Sequence, residues 1–543
     1  MFSKLTKRLS AGAICLSLFL AACGGGGNQT TGTPATPQPP ATGNQTTQTT
    51  DPTPAPTGPA TNLSIWFMGG AAADDSDVIE AANARLRELG LNININPIWT
   101  GGWGMGDPAQ MALDTGDTGV DIYWTGSWGL NFWNNARIGN FIRLDDPANN
   151  LLEQYGQGVR AAVPQALWDA FTTDGPSGFG IYGIPGYKDY AQLYAWDVNN
   201  TRLAELGFDF YELFDPNGVN YDVLFDPQFE AAMAAAKDVW GANFFPLAVE
   251  PELFARALSN ADFDLTGEHL FHFGFDPSNP ASPVNPVIGP NLENERYLLV
   301  LERLHHFWNR GFIDPRLAIP GEASTVLVES RNAGEYLFSQ IVYPYGHTAS
   351  TAAQRGIDVR FPPVSRAIVS SVSAAGSGFG ISVYSQNRAA AMQFMNAWFT
   401  DSELATIFAY GVEGNHFERN ANGTITLGPD ARASFAPWLM GQGNVFILPP
   451  QYVQGPDFFQ RFNSHNAAGT GTSILGFSFN NEPVRTELAA LSGVVAEFHQ
   501  TLTVGAVDPA TVVPLYLAAL RANGLDRVQE ELNAQLQAFY AAR

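Results

Sequence analysis

Six of the chain's twelve tryptophans fall between Trp66 and Trp133, and their neighbours suggest what they do. Trp99 and Trp103 flank or enter the glycine-rich run 100–106 (TGGWGMG), while Trp124 and Trp128 bracket Thr125, Gly126 and Ser127, with Asn131 and Trp133 close behind. An indole in a glycine-rich loop has little core to enter. Apolar ring faces flanked by hydroxyls and amides (Ser127, Asn131, Gln110) suit a neutral ligand with C–H faces and hydroxyl edges, as a sugar has. Core packing is the competing account, and for Trp66 and Trp133 it weighs as much as ligand contact. A second cluster, Tyr187-Lys188-Asp189-Tyr190, holds one of only four lysines. Lys188 can meet a ligand carboxylate, as on a uronate-bearing saccharide, or pair with Asp189.

Catalytic and metal-binding patterns are not found. The adjacent His305 and His306, and His269 with His272, lack the spacing of zinc ligands, and 262–267 lacks the closing glutamate of a calcium loop. Gly102, Gly104 and Gly106 have the wrong spacing for a dinucleotide fingerprint, and neither a nucleophile elbow nor a phosphate-cradling loop occurs. No catalytic residue, metal or cofactor is expected. Glu413 and His416 either hydrogen-bond a polar ligand or fix their own loop.

The elements that must position these residues alternate. The run 62–68 (NLSIWFM) predicts a strand, and Val78, Ile79, Ala82, Leu86 and Leu89 predict a helix stopped by Gly90. A strand follows over Leu91, Ile93 and Ile95, then a helix opened by Asp107-Pro108, then a strand over 120–124. This order argues for a parallel sheet with helices packed on it, whose ligands bind beyond the carboxyl ends of the strands. Trp99, Trp103, Trp124, Trp128 and Trp133 stand at or after those ends. The stretch 178–190 (GFGIYGIPGYKDY) is where the chain leaves this first lobe. Farther on, helices are predicted over 293–310, 387–400 and 401–410, and a last group opens at Asp508-Pro509, stops at Gly524 and resumes at Leu525.

Both cysteines lie at the N-terminus. A basic start (Lys4, Lys7, Arg8), an apolar run to Ala22 and then Cys23 read as an export signal over 1–22, and Leu20-Ala21-Ala22-Cys23 resembles the lipobox of bacterial lipoproteins. Cys23 is the expected lipidation site (palmitate), placing the chain on the extracytoplasmic face of the bacterial cell membrane. Residues 23–61, rich in Gly, Thr, Pro and Gln, form an expected disordered tether with a reach on the order of 30–40 Å. The formal charge of −24 grows more negative once the leader's basic residues go, which argues against nucleic acid as a partner. Roughly 480 residues remain, enough for two or more lobes.

The order of 121–128 (DIYWTGSW), 138–146 (IGNFIRLDD), 181–190 (IYGIPGYKDY) and 196–209 (WDVNNTRLAELGFD) resembles the family 1 extracellular solute-binding proteins. So do 356–365 (GIDVRFPPVS), 376–404, 410–417 (YGVEGNHF) and 479–491 (FNNEPVRTELAAL), the last pointing to a lipoprotein subgroup with a C-terminal extension. The resemblance implies an α/β, two-lobed periplasmic-binding-protein fold of the second type, with hinges near 181–190, 334–345 and 374–382. Lobe one would be 62–186 plus 335–378, lobe two 187–334 plus 379–475, and 476–543 a helical extension. It further implies a monomer that captures a small solute, an oligosaccharide by preference, for ABC permease subunits, with Trp66, Trp99, Trp103, Trp124, Ser127, Trp128, Asn131, Tyr187, Lys188, Tyr190 and Tyr345 around the ligand. A secreted carbohydrate hydrolase or lyase, or an adhesion lipoprotein, would also display such aromatics.

Overall fold

The computed structural model describes residues 58–69, 75–99, 106–116, 119–216, 218–251, 254–257, 270–273, 288–342, 351–352, 355–428 and 443–541. The leader, Cys23 and most of the tether lie outside the described residues, as do Trp103, Tyr345 and the 262–267 loop.

The first sheet is built as its sequence alternation requires. In β1 (Thr61–Phe67), Leu63, Ile65 and Phe67 are buried and alternate with half-buried or exposed neighbours. The next helix, α1 (Asp75–Glu88), lays Val78, Ala82 and Leu86 on that core, with acids in its first turn and arginines in its last to suit the helix dipole. Then β2 (Ile93–Trp99) pairs parallel with β1 from Thr61↔Ile93 to Phe67↔Trp99. After α2 (Gly106–Thr115), β3 (Ile122–Thr125) pairs parallel on the other side of β1, and α3 (Phe132–Ile138) follows. Three short helices lead to β4 (Ile184–Pro185), at the edge of this sheet.

The chain then enters a second sheet through β5 (Tyr194–Asn199), buried along its whole length. Its Trp196 is ringed by Phe214, Phe229 and Phe254. Here α4 (Pro227–Trp240) starts at an Asp226 cap with proline in its first turn, β6 (Leu247–Ala248) follows, and α5 (Glu295–Asn309) buries Tyr297, Val300, Leu301, Leu304 and Phe307 on one face. Next, β7 (Phe338–Val342) runs antiparallel to β5 and parallel to β6, and β8 (Val359–Arg360) pairs antiparallel on the far side of β5.

The return to the first sheet is β9 (Gly378–Ile381), antiparallel to both β3 and β4. Its Gly-Phe-Gly-Ile pattern has a steric cause: a Cβ at Gly378 would run into the Phe171 ring, and one at Gly380 into that of Phe141. Two helices, α6 (Arg388–Thr400) and α7 (Ser402–Tyr410), then pack on the first core through Phe394, Trp398 and Phe408, and α8 (Phe458–Ala468) joins them.

These pairings correct the partition expected from the motifs. Residues 338–342, assigned to lobe one, are a central strand of the second sheet, because β7 takes its hydrogen bonds from β5. Residues 379–475, assigned to lobe two, mostly serve the first core, where Phe379, Ile381, Trp398 and Phe462 are buried. The second and third hinges move accordingly. The chain crosses between the sheets at 186–193, 361–370 and 469–477, and these segments bond to one another. Gln192 and Ile368 exchange backbone hydrogen bonds of 2.8 Å, and Ile368–Val369 pairs parallel with Thr470–Gly471.

Three terminal helices, α9 (Arg485–Thr503), α10 (Pro509–Ala522) and α11 (Leu525–Ala541), complete the chain. Asp508 caps α10 with Pro509 in its first turn. Leu491, Tyr516, Leu520, Leu525, Val528, Leu532 and Leu536 are buried in the second core, so the extension is part of that core.

Candidate functional site

The strand β3 delivers Trp124 fully buried, its Nε1 donating to Ser377 Oγ at 2.9 Å. The loop after it is bound to the segment that enters β9. Ser127 donates from its backbone N to Ala375 O (2.8 Å) and from Oγ to Val372 O (2.8 Å). Asn131 caps α3, accepting from Asn134 N at 3.0 Å, and its amide nitrogen donates to Ser127 O at 3.2 Å. Leu130 is held at φ 42°, the one non-glycine residue with positive φ among those described, so this turn carries backbone strain.

Trp128 is the residue this scaffold presents. Its Nε1 donates to Gly376 O at 2.8 Å and its ring meets that of Trp124 edge-on at 5.2 Å, yet the residue is 49% exposed. The indole is fixed by its polar end and by one edge, which leaves apolar ring surface open to solvent.

The first crossing segment adjoins this platform, because Gly186 N donates to Ser377 O at 2.9 Å. Tyr187 follows, half-buried, with its ring 4.4 Å from Phe446 and its hydroxyl donating to Asn463 Oδ1 at 2.9 Å. Asn466, one turn on along α8, accepts from Tyr190 N at 3.1 Å and donates to Lys188 O at 2.8 Å. Burial raises the phenol pKa of both Tyr187 and Tyr190, so both stay neutral and keep their hydroxyl donors. Lys188 is buried, and its Nζ meets Asp189 Oδ1 at 2.6 Å. Of the two roles open to Lys188, this geometry has the internal pair.

The structure thus brings Trp124, Ser127, Trp128, Asn131, Tyr187, Lys188 and Tyr190 to one junction. Trp124 lies beneath the surface, and the side chains of Ser127 and Asn131 are committed to the loop. Trp66 stacks on Tyr123 (5.8 Å, 16°) and Trp99 packs on Phe67 (5.4 Å), both within the first sheet's own aromatic packing. Gly376, Ser377, Phe446, Asn463 and Asn466 were missed by sequence reasoning. The signal for Asn463 and Asn466 was their spacing of three, which sets both on one side of a helix.

Two other groups of polar residues prove structural. His416 is buried and accepts from Val412 N at 2.8 Å, while Glu413 pairs with Arg419 at 2.9 Å, so both fix their loop. That loop follows α7 and is tied back to it by Arg419, which meets Glu403 at 2.6 Å. In the second sheet, fully buried Asp197 accepts from Tyr336 Oη (2.7 Å) and from Arg355 Nη1 (2.9 Å), and Arg355 also donates to the Tyr336 hydroxyl (2.6 Å). Among the described residues no group of three or more His, Cys, Asp or Glu is placed to hold a metal ion.

Comparison with known proteins agrees with this architecture. The chain is 23% identical over 486 residues to a carbohydrate ABC transporter substrate-binding protein of Streptococcus pneumoniae, covering 88% of this chain and 90% of that one. The solved N-glycan transport solute-binding protein NgtS of S. pneumoniae superposes with a TM-score of 0.70 at 18% identity, over 88% of this chain and 99% of the other. Its complex with Man5GlcNAc gives 0.69 at 20%, over 89% and 99%. The alginate-binding protein AlgQ2 gives 0.58 at 15%, over 88% and 98%. Residues 473–541 match a family described as a domain of unknown function, DUF3502. The resemblance seen in the motifs extends along most of the chain, and the fold is that of the two-lobed solute-binding proteins.

Proposed function

We propose that this chain is the solute-binding subunit of an ABC importer, closing its two lobes on an oligosaccharide and presenting it to a membrane permease. The observation that carries the reading is Trp128, an indole held by its polar end on Gly376 with apolar ring surface open, on a loop joined through Ser377 to the segment that carries the neutral phenols of Tyr187 and Tyr190. Such a surface stacks on the C–H face of a pyranose while the tyrosine hydroxyls and Asn463 meet its edges. The S. pneumoniae relative and the NgtS structures support the same assignment. Closure follows if the sugar binds the closed state better than the open one. Trp103 and Tyr345 stay ligand candidates in this reading, Trp66 and Trp99 serve the packing of the first sheet, and the three crossing segments set the lobe boundaries. In this reading Cys23, in its lipobox-like setting, carries the lipid anchor.

A thermal-shift screen of the chain against neutral oligosaccharides, uronate-containing oligosaccharides and short peptides tests this. A ligand of the folded state raises Tm by mass action. The expected result is a shift with one saccharide class, the sugar being recovered intact. Cleavage of the sugar would replace capture with catalysis, and a flat response across both saccharide classes would sink the assignment.

A further inference from the structure

A contact between the lobes that the three crossing segments do not provide runs through Arg137. This residue ends α3, in the first core, and reaches the start of the C-terminal extension. Its Nη1 donates to Phe479 O at 2.8 Å, and its Nη2 donates to Ser478 O at 3.0 Å and to Ser478 Oγ. The receiving backbone is itself pinned to α11: Asn480 N donates to Gln535 Oε1 and Gln535 Nε2 donates to Asn480 O, both at 2.8 Å. Phe477 and Phe479 are buried in the second core, and Phe477 lies 5.4 Å from the Phe539 ring. One guanidinium therefore connects the first core to a segment anchored in the second.

The space beside it is open. A cavity of about 780 Å³ separates the two walls, with Ile138 and Phe179 on the first-lobe side and Phe477 and Phe539 on the extension side. Ile138 and Phe179 are more than half exposed, so apolar surface faces a gap that lobe rotation would narrow or widen. Arg137 donates to two carbonyls and a hydroxyl, and among the described residues no carboxylate stands in ion-pair contact with it. Burial holds its pKa down near 10, against the pull of Asp174. A cation in that setting is sensitive to any motion that changes its partners.

We propose that the C-terminal extension acts as a clasp on the lobe angle and that Arg137 is its positioning residue. The inference rests on reading the chain as a two-lobed capture protein whose lobes rotate. The match of residues 473–541 to a domain of unknown function would thereby acquire a role.

Hydrogen–deuterium exchange of the full chain, without ligand, tests it on the wild type and on Arg137→Met, Arg137→Lys and Gln535→Ala. With Arg137→Met, exchange should rise several-fold at 478–480 and also in the crossing segments 186–193 and 361–370, while β5 and β7 keep wild-type protection. Arg137→Lys, which keeps the charge and loses the fork, should fall between. An increase confined to 132–140 and 478–480 would overturn the proposal, since a local structural contact predicts that and nothing more. If Arg137→Met does not fold, Gln535→Ala is read by the same criterion, as it loosens the receiving segment and leaves Arg137 intact. No sugar enters the measurement, so a chain that binds no saccharide still returns an answer.

Discussion

The junction around Trp128 and the interior of the second sheet around Asp197 make an instructive pair. At the junction the open groups are uncharged, and the one nearby lysine is buried against Asp189 at 2.6 Å. In the second sheet a carboxylate, a phenol and a guanidinium meet within 2.9 Å of one another, with Asp197 fully buried. Judged by ionisable groups alone, the second region looks more like an active centre. Yet each of those groups faces another of them, and a charged network already satisfied has little left to offer a ligand. Apolar ring surface still facing solvent is the better mark of a binding surface here.

The comparison can be broken at its structural end first. Asp197→Ala removes one member of a buried ion network and should cost about 3–5 kcal/mol in urea unfolding, while folded molecules keep their ligand affinity. Lost affinity in a molecule of unchanged stability would make the second sheet the binding region. At the junction the expected pattern is reversed. Trp128→Ala should weaken oligosaccharide binding by about 1–3 kcal/mol in calorimetric titration, with little change in unfolding, because half of the residue is already in water. Unchanged binding would remove Trp128 from the site.

A smaller change sharpens the same contrast. Tyr187→Phe keeps the ring on Phe446 and deletes only the bond to Asn463, so a loss of about 1 kcal/mol is expected in binding if that hydroxyl also meets the sugar. Equal affinity would mean that only the ring matters. The smallest effect is set by His465, at the crossing segments, whose ring nitrogen bonds Ala191 O at 3.0 Å. Burial lowers its pKa from the ordinary 6.5, against the upward pull of the Ala191 bond and of Asp189. Above the unfolded value both states are neutral and this group costs nothing. As pH falls below it, the unfolded chain takes the proton first and stability declines until the folded pKa is passed. Tm followed from neutral to mildly acidic pH should show this loss, and His465→Asn should flatten it. An identical slope in the variant would assign the acid sensitivity to other groups.

Local pattern carried much of the architecture. The strand predicted over 62–68 appears at 61–67, and the helix of Val78, Ala82 and Leu86 and the Asp508-Pro509 start appear where the residues predict them, because each depends on contacts within one strand, turn or helix face. Trp128 was legible as a ligand candidate from its glycine- and serine-flanked position after a strand end. Trp124, four residues earlier and in similar company, was not separable from it. What buries Trp124 and leaves Trp128 half exposed is the approach of Gly376 and Ser377, about 250 residues away in sequence.

By itself, the amino-acid sequence determined the opening strands and helices of the first sheet, the helices over 293–310, 387–410 and from 508 onward, the clustering of aromatics after the strand ends, and the scarcity of lysine. Only the tertiary structure decided which lobe each later segment serves. Strand 338–342 and helix 388–400 read equally well as parts of either sheet, since an apolar strand or helix face does not specify its partner. Hydrogen bonds from β5 and packing on the first core made those choices. The pairing of Lys188 with Asp189 and the reach of Arg137 to Ser478 were decided in the same way, by distances that exist only once the chain has folded.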